Sequence, residues 1–391
     1  MMQKAWWRTA DIAGPFLLLF MAIAGLIAAN SPWQANYALL AHPMGDVHIT
    51  GWNGRTWSLT LPSVIEAITL GPMTLFFLLI TLELKKELVS GHLSQLRQCL
   101  LPCVSALGGV VVPALLYRVI AASEPALQAG WAIPIATDAA FTVPILLALG
   151  RYVSEGGRVW LMALAIFDDV LGILIIALFY GSTLKYGPLI VSAVLVGCLV
   201  YWGRRGIRAL WPYSVAGCLL WGCLLVSGVH PTIAGVVVGL CLPARVKTAP
   251  SPVERMEHYV TPWVRWVILP IFGFVIMGIP LLTLPLHAVN IRLVCAVAVG
   301  LVMGKTTGIF SATWLAVRCR LSPLPCQTSW YMVFGLSMLC GIGFTVSLFM
   351  ASLSFAGSNL LLSAKLGILS GSLMAVLMGW VWLRAGVTVS E

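Results

Sequence analysis

The stretch LMALAIFDDVLGILIIALFY, Leu161–Tyr180, decides how the chain is read. Twenty residues at 1.5 Å per residue cross the hydrocarbon core of a bilayer as a helix. Two adjacent carboxylates, Asp168 and Asp169, stand near its middle. A charge at bilayer depth costs several kcal/mol. Two side by side repel as well, by ~4 kcal/mol at 4 Å and an effective dielectric of ~20. Nothing in folding asks for such a pair, so it marks a functional site. An aqueous loop would carry the pair without cost, but the apolar runs on both sides exclude one.

Composition sets the class. The chain has 391 residues, 60% hydrophobic and only 9% charged, with a mean hydropathy of +0.97. An ordinary soluble domain is about 25% charged, so this is an all-α polytopic membrane protein. A single transporter domain, 1–391, uses the whole length. Lys4 and Arg8 precede the first apolar run without a small-residue cleavage site, which reads as a retained first helix. The ten cysteines mostly lie in apolar segments with no CxxC pair, and read as small hydrophobes.

Apolar segments fall at 12–30, 62–84, 99–120, 126–148, 157–180, 187–203, 210–226, 228–243, 253–280, 293–316, 329–355 and 360–383, which predicts about twelve transmembrane helices. With the N-terminus in the cytoplasm, sixteen basic residues face inward. Five face outward: Arg55, Arg118, Lys185, Arg292 and Lys365. Arg265 and Lys305 stay inside segments and complete the 23. That bias places both termini in the cytoplasm. The net charge of +10 therefore serves topology and contact with anionic membrane lipid, and nucleic acid is excluded as a partner. Between the first two helices, Asn53-Gly54 is flanked by strand formers and predicts a small external β-hairpin over about 45–60 with a two-residue type I′ turn. Ser251-Pro252-Val253-Glu254 predicts a capping box opening the ninth helix.

Two segments look interrupted. Gly130–Leu149 carries Pro134, Thr137, Asp138 and Pro144, and Tyr331–Met350 carries Gly335, Gly341 and Gly343. Each contains Phe-Thr-Val just past the interruption, at Phe141–Val143 and Phe344–Val346. Broken helices at matching places predict inverted-topology repeats, about 99–180 and 293–383, with a site at the midplane.

The deep charges are few: Asp138, Asp168, Asp169 and Lys305. Buried charges need partners, so Lys305 is expected to pair with an aspartate. Asp168 and Asp169 lie about 100° apart around their helix, so one can face Lys305 and the other a cavity. Unwound backbone at Ala136–Asp138 and Gly341–Gly343 would leave carbonyls free for a cation. It would also set two partly positive helix N-termini face to face, with Asp138 at hand to neutralise them. Oxygen donors of this kind suit a hard alkali cation. Burial and mutual repulsion also make the carboxylates proton acceptors. A site that holds either cation or protons is a minimal exchanger. No GxxxxGK[ST] run is present, so an ion gradient would drive it.

At these residues the chain resembles the NhaA-type Na+/H+ antiporters of bacterial inner membranes. The resemblance runs through FFLLITLELKKEL (76–88), GGVVVPALLY (108–117), GWAIPIATDAAF (130–141), the aspartate stretch, SGVHPTIAGVVVG (227–239), MGKTTGI (303–309) and LCGIGFTVSLFMASL (339–353). It implies Asp169 as principal cation carboxylate, Asp168 as proton carrier and partner of Lys305, and Thr137 as an oxygen donor. Asp138 would balance the broken-helix dipoles beside Gly341, Gly343 and Thr345. It further implies no cofactor and electrogenic exchange of one Na+ or Li+ for two H+, serving pH and sodium homeostasis. pH sensing would fall to Glu83, Lys85, Glu87, Glu257 and His258 at a cytoplasmic funnel and to His230 at the external side, although His230, lone and followed by Pro231, reads more readily as a structural residue than a regulatory one. A homodimer would form through the hairpin, 47–60.

The chain departs from the family pattern where Trp-Ile-Asn-Asp-Gly becomes Ala67-Ile68-Thr69-Leu70-Gly71, where a funnel histidine becomes Thr261, and at Phe274-Val275-Ile276-Met277-Gly278. These changes point to a displaced pH profile, and keep a transport-dead sensor as an alternative. An intramembrane aspartyl protease would need Gly-x-Gly-Asp, but Asp138 follows Ala136-Thr137 and Asp168 follows Ile166-Phe167. A passive channel would not need a carboxylate pair tuned to protons.

Overall fold

The computed structural model describes residues 2–50, 56–90, 96–181, 184–244, 250–283, 289–356 and 358–386. Among them, seven helices are long and apolar enough to cross a membrane, and ten spans result if each bent helix pair counts as one. Part of the shortfall from twelve lies at 211–241. There Gly228, with a left-handed φ of 89°, and Pro231 stop one helix and start the next. The result is a 17-residue helix, Trp211–Ser227, at the lower limit of length for a span, and a 9-residue helix, Ile233–Cys241.

The helices form two groups. One holds Leu96–Ile120, Glu155–Phe179 (the aspartate helix), Ile291–Arg318 (the lysine helix), Leu360–Ala385 and two interrupted segments. The other holds Met2–Ala29, Met73–Ser90, Tyr186–Arg205, Trp211–Ser227, Ile233–Cys241 and Pro252–Ile276. Met73–Ser90 packs on the aspartate helix and joins the two groups. Small residues let backbones approach where the lysine helix meets Leu96–Ile120. A Cβ on Gly108 would fall 2.3 Å from the Gly308 carbonyl oxygen, and one on Gly308 2.3 Å from that of Gly108. A buried hydrogen bond, Ser105 to Thr313 at 2.7 Å, ties the same pair. Outward positions such as Leu178, Val119 and Ile190 are large, apolar and exposed, the pattern of a lipid-facing surface.

The interruptions fall where the sequence places them. Pro125–Ile135 and Ala139–Leu149 meet at 43°, and Trp330–Leu339 and Phe344–Ser354 at 48°. The first half of the first segment is a 3-10 helix rather than an α-helix. The capping box at Ser251 forms with both bonds, Glu254 N–H to Ser251 Oγ at 3.2 Å and Ser251 N–H to Glu254 Oε2 at 2.7 Å.

Two antiparallel strands, Pro43–Thr50 and Thr56–Ser63, come after the first helix. The expected turn, Asn53-Gly54, lies outside the described residues. A two-residue turn there sets Trp52 opposite Arg55, whereas the ladder pairs Thr50 with Thr56 and Val47 with Leu59. The described register therefore differs by one residue from that of a bulge-free two-residue type I′ turn at Asn53-Gly54. A second correction concerns Lys365, expected among outward loop charges. It lies inside the Leu360–Ala385 helix and is 6% exposed.

Candidate cation site

Asp168 and Asp169 are consecutive on the aspartate helix, and a step of 100° sends them in different directions. Asp168 turns to the lysine helix, where its Oδ2 lies 2.5 Å from Lys305 Nζ, with both side chains fully buried. The backbone N–H of Thr137, in the first interruption, donates to the same Oδ2 at 2.7 Å. Asp168 Oδ1 and Asp169 Oδ1 are buried without a hydrogen-bond partner among the described residues. Unsatisfied buried carboxylate oxygens are costly and call for an explanation.

The interruptions cross beside this pair. Asp138 donates its backbone N–H to the Ile342 carbonyl at 2.6 Å, and Thr137 Oγ1 donates to the Cys340 carbonyl at 2.8 Å. One carbonyl of Gly341–Gly343, a stretch expected from the sequence to leave carbonyls free for a cation, is thus already accepting a cross-link. Asp138 then caps both outgoing half-helices. Its Oδ1 accepts from Ala140 N–H at 3.0 Å, and its Oδ2 from Thr345 N–H at 2.7 Å and Thr345 Oγ1 at 2.6 Å. One carboxylate facing two partly positive N-termini is the charge balance expected of it. Gly341 and Gly343 leave room for the lysine helix, since a Cβ on them would fall 2.6 Å from the Leu301 carbonyl oxygen and 2.8 Å from Leu301 Cδ2. Ser347 Oγ and Ser372 Oγ, which sequence reasoning missed, hold the crossing through Ile133 O at 2.7 Å and Gly343 N at 3.2 Å.

A further missed feature sets the azimuth of Lys305. Gly300–Gly304 is a π turn, and the Lys305 N–H reaches back five residues to the Gly300 carbonyl. Such turns hold one residue more than an α turn and free carbonyls. The hydroxyls of Thr306 and Thr307 take two of those in the turn, Val302 O at 2.5 Å and Met303 O at 2.7 Å. The Lys-Thr-Thr run carries the signal in hindsight, because two hydroxyls directly after a buried lysine can serve the backbone.

The residues expected to sense pH at the funnel stand on two helices that pack together, Met73–Ser90 and Pro252–Ile276. Lys85 Nζ donates to the Leu240 carbonyl at 2.5 Å and also to that of Leu242, so it caps the C-terminal end of Ile233–Cys241. Glu257 pairs with Lys86 at 2.9 Å, Glu83 lies 3.8 Å from Arg265, and the His258 ring meets Tyr259 edge-on at 6.1 Å. Glu87 lies on the same Met73–Ser90 helix. His230 is buried, with Nδ1 2.7 Å from Thr232 Oγ1 and its ring edge-on to Phe349 at 5.6 Å. In the departed run, the Leu70 carbonyl accepts from Trp221 Nε1 at 2.7 Å, which satisfies the helix end where the family pattern carries a carboxylate.

A bundle of apolar helices with a buried lysine–carboxylate centre between two interrupted segments defines a multi-pass membrane transporter. The family model described as Na+/H+ antiporter 1 matches residues 5–383, and the chain belongs to that family. Among similar proteins, the Na(+)/H(+) antiporter NhaA of Zymomonas mobilis subsp. mobilis is 48% identical over 96% of this chain and 95% of its own. That of Gluconacetobacter diazotrophicus is 49% identical over 95% and 93%. Among solved structures, the sodium proton antiporter MjNhaP1 from Methanocaldococcus jannaschii shares the fold. Its TM-score is 0.53 at 15% identity, with 98% of this chain and 97% of that one covered. The function of the chain is therefore Na+/H+ antiport across a membrane.

Proposed function

We propose that Asp168 and Asp169 form one site, occupied in turn by a cation (Na+ or Li+) and by two protons, so that each cycle moves one net charge. The observation that carries this reading is the pair of buried, unpartnered oxygens, Asp168 Oδ1 and Asp169 Oδ1, beside an ammonium that neutralises only one carboxylate. Asp169 is the principal cation ligand and Thr137 adds a hydroxyl oxygen. Asp168 carries a proton and holds Lys305 when ionised. Asp138 stays with the two half-helix ends. Because cation and protons compete for the same oxygens, loading one discharges the other.

In the finer reading the chain crosses a bacterial inner membrane twelve times with both termini in the cytoplasm. Its repeats, 99–180 and 293–383, have opposite topology. Their common order of long helix, interrupted segment and long helix supports this. Glu83, Glu87, Glu257 and His258 are the candidates for pH control, with a profile displaced by the changes at Leu70 and Thr261. The strands at 43–63 lie outside the membrane, and their open edges suit pairing with a second copy in a homodimer.

Everted vesicles test the central assignment. Adding Na+ to acid-loaded vesicles collapses ΔpH with the wild-type chain. Asp169→Asn, which removes the anionic ligand while keeping its volume, abolishes that collapse. An Asp169→Asn protein that dissipates ΔpH like wild type sinks the assignment.

A further inference from the structure

Lys305 and Arg265 are both cations in the middle of apolar segments, and the exchange cycle uses only Lys305. The other, Arg265, lies in the second π turn, Val264–Ile268, where the Leu269 N–H reaches back five residues to the Val264 carbonyl. The lysine helix uses the same device, with Lys305 directly after its π turn. An extra residue in the turn rotates the downstream side chains relative to their places on an unbroken α-helix. The turn at Gly300–Gly304 thus helps to set the direction of Lys305, Arg265 lies inside its own turn, and each cation meets a carboxylate on another helix.

Arg265 Nη2 lies 3.8 Å from Glu83 Oε1, with the side chains 31% and 38% exposed. The pair is neither sealed like Asp168–Lys305 nor fully in water. Glu83 stands on Met73–Ser90, the helix of its group that packs on the aspartate helix. The Lys86–Glu257 bridge crosses between the same two helices, one step along. Behind Arg265, the backbone of Met2–Ala29 comes close at Gly14, where a Cβ would lie 3.5 Å from Arg265 Cβ. Glu83 is therefore a partly exposed carboxylate on a helix that packs against the site's own helix, and Arg265 is a positive charge set against it.

We propose that Arg265 tunes the cation affinity of the exchange: its guanidinium holds Glu83, on the helix that packs against the aspartate helix, in an ion pair and weakens the attraction of that carboxylate for an approaching Na+ or Li+. This rests on the assignment of Asp168 and Asp169 as the cation site. Negative surface charge concentrates cations and speeds their arrival. A paired Glu83 offers less of that attraction than a bare one. The partial exposure of both groups keeps the effect modest and sensitive to salt.

The test titrates NaCl into acid-loaded everted vesicles at fixed pH, with ionic strength held by choline chloride. Arg265→Ala lowers the KM for Na+ by roughly two- to fivefold and leaves the maximal rate near that of wild type. The difference shrinks as ionic strength rises. Arg265→Lys, which keeps the charge, stays close to wild type, and Arg265→Gln repeats the effect should the alanine variant fold poorly. In a Glu83→Gln background, removing Arg265 no longer lowers KM, a non-additivity that a general packing defect would not produce. An unchanged KM in the folded variants at low ionic strength overturns the proposal, as does an equal fall in the Glu83→Gln background. A wild-type chain that showed no Na+-dependent collapse of ΔpH would instead refute the exchange site itself.

Discussion

Among the described residues, two lysine–carboxylate bridges tie helices together, and their surroundings could hardly differ more. Lys305 and Asp168 meet at 2.5 Å with neither side chain exposed. Lys86 and Glu257 meet at 2.9 Å with side chains 44% and 20% exposed. By distance alone they are the same interaction. Burial separates them, because removing one partner of the deep pair strands a charge without water, whereas water and salt replace a lost partner at the rim. The deep pair is poor value as a staple, since apolar side chains of equal volume would pack there as well. Its presence is understood through the unpartnered oxygens beside it, which an apolar core could not offer to a cation.

The largest expected effect breaks the deep pair. Lys305→Ala lowers stability by about 3–5 kcal/mol, read as a lower melting temperature in mild detergent, and Lys305→Arg loses much less. The loss shrinks as pH falls, because a protonated Asp168 no longer needs a counter-charge. Equal melting temperatures for wild type and Lys305→Ala at neutral pH would mean that water reaches Lys305.

The next effect is smaller and tests the crossing. Asp138→Ala removes three hydrogen bonds and leaves Ala140 N–H and Thr345 N–H facing each other unpaired. A lost cap and unsatisfied donors together cost about 2–3 kcal/mol. Asp138→Asn, which keeps an acceptor oxygen, falls between alanine and wild type. Matching stabilities for all three proteins would show that the half-helix ends are solvated.

Lys86→Ala gives the smallest effect, about 0–1 kcal/mol and weaker still at high salt. A loss near that of Lys305→Ala would erase the contrast between a sealed bridge and a wet one.

The site was legible in the sequence to the extent that charge is rare in a membrane. Asp138, Asp168, Asp169 and Lys305 stood out because nothing else charged lies so deep, and the need of a buried charge for a partner fixed the Lys305 pair in kind. That the partner is Asp168 and not Asp169 depended on which direction each residue of a 100° step faces, and the resemblance supplied it before the coordinates did. The two interruptions were legible from Pro134, Gly341 and Gly343. The hydrogen bonds that join them, from Asp138 to Ile342 and Thr345, link residues about two hundred positions apart and leave no local trace.

Other features were hidden for related reasons. A π turn obeys no hydrophobic period of its own, so Gly300–Gly304 and Val264–Ile268 read as ordinary helix. Lys365 looked like a loop charge because the positive-inside count weighs position along the chain and not the packing of its aliphatic stem. Lys85 sits in a charged run at a helix end, and only the approach of Ile233–Cys241 makes it a cap for Leu240 and Leu242.

By itself, then, the sequence determined the class of protein, the interrupted segments and the charges of the site, because apolar length and buried charge act locally and carry large free energies. The tertiary structure decided which oxygen of Asp168 meets Lys305, which oxygens remain without partners, and which ion pairs are sealed or wet. Those depend on helix azimuth and on contacts between distant segments, where differences of one residue in register or a few ångströms in depth change the energy by as much as the interaction itself.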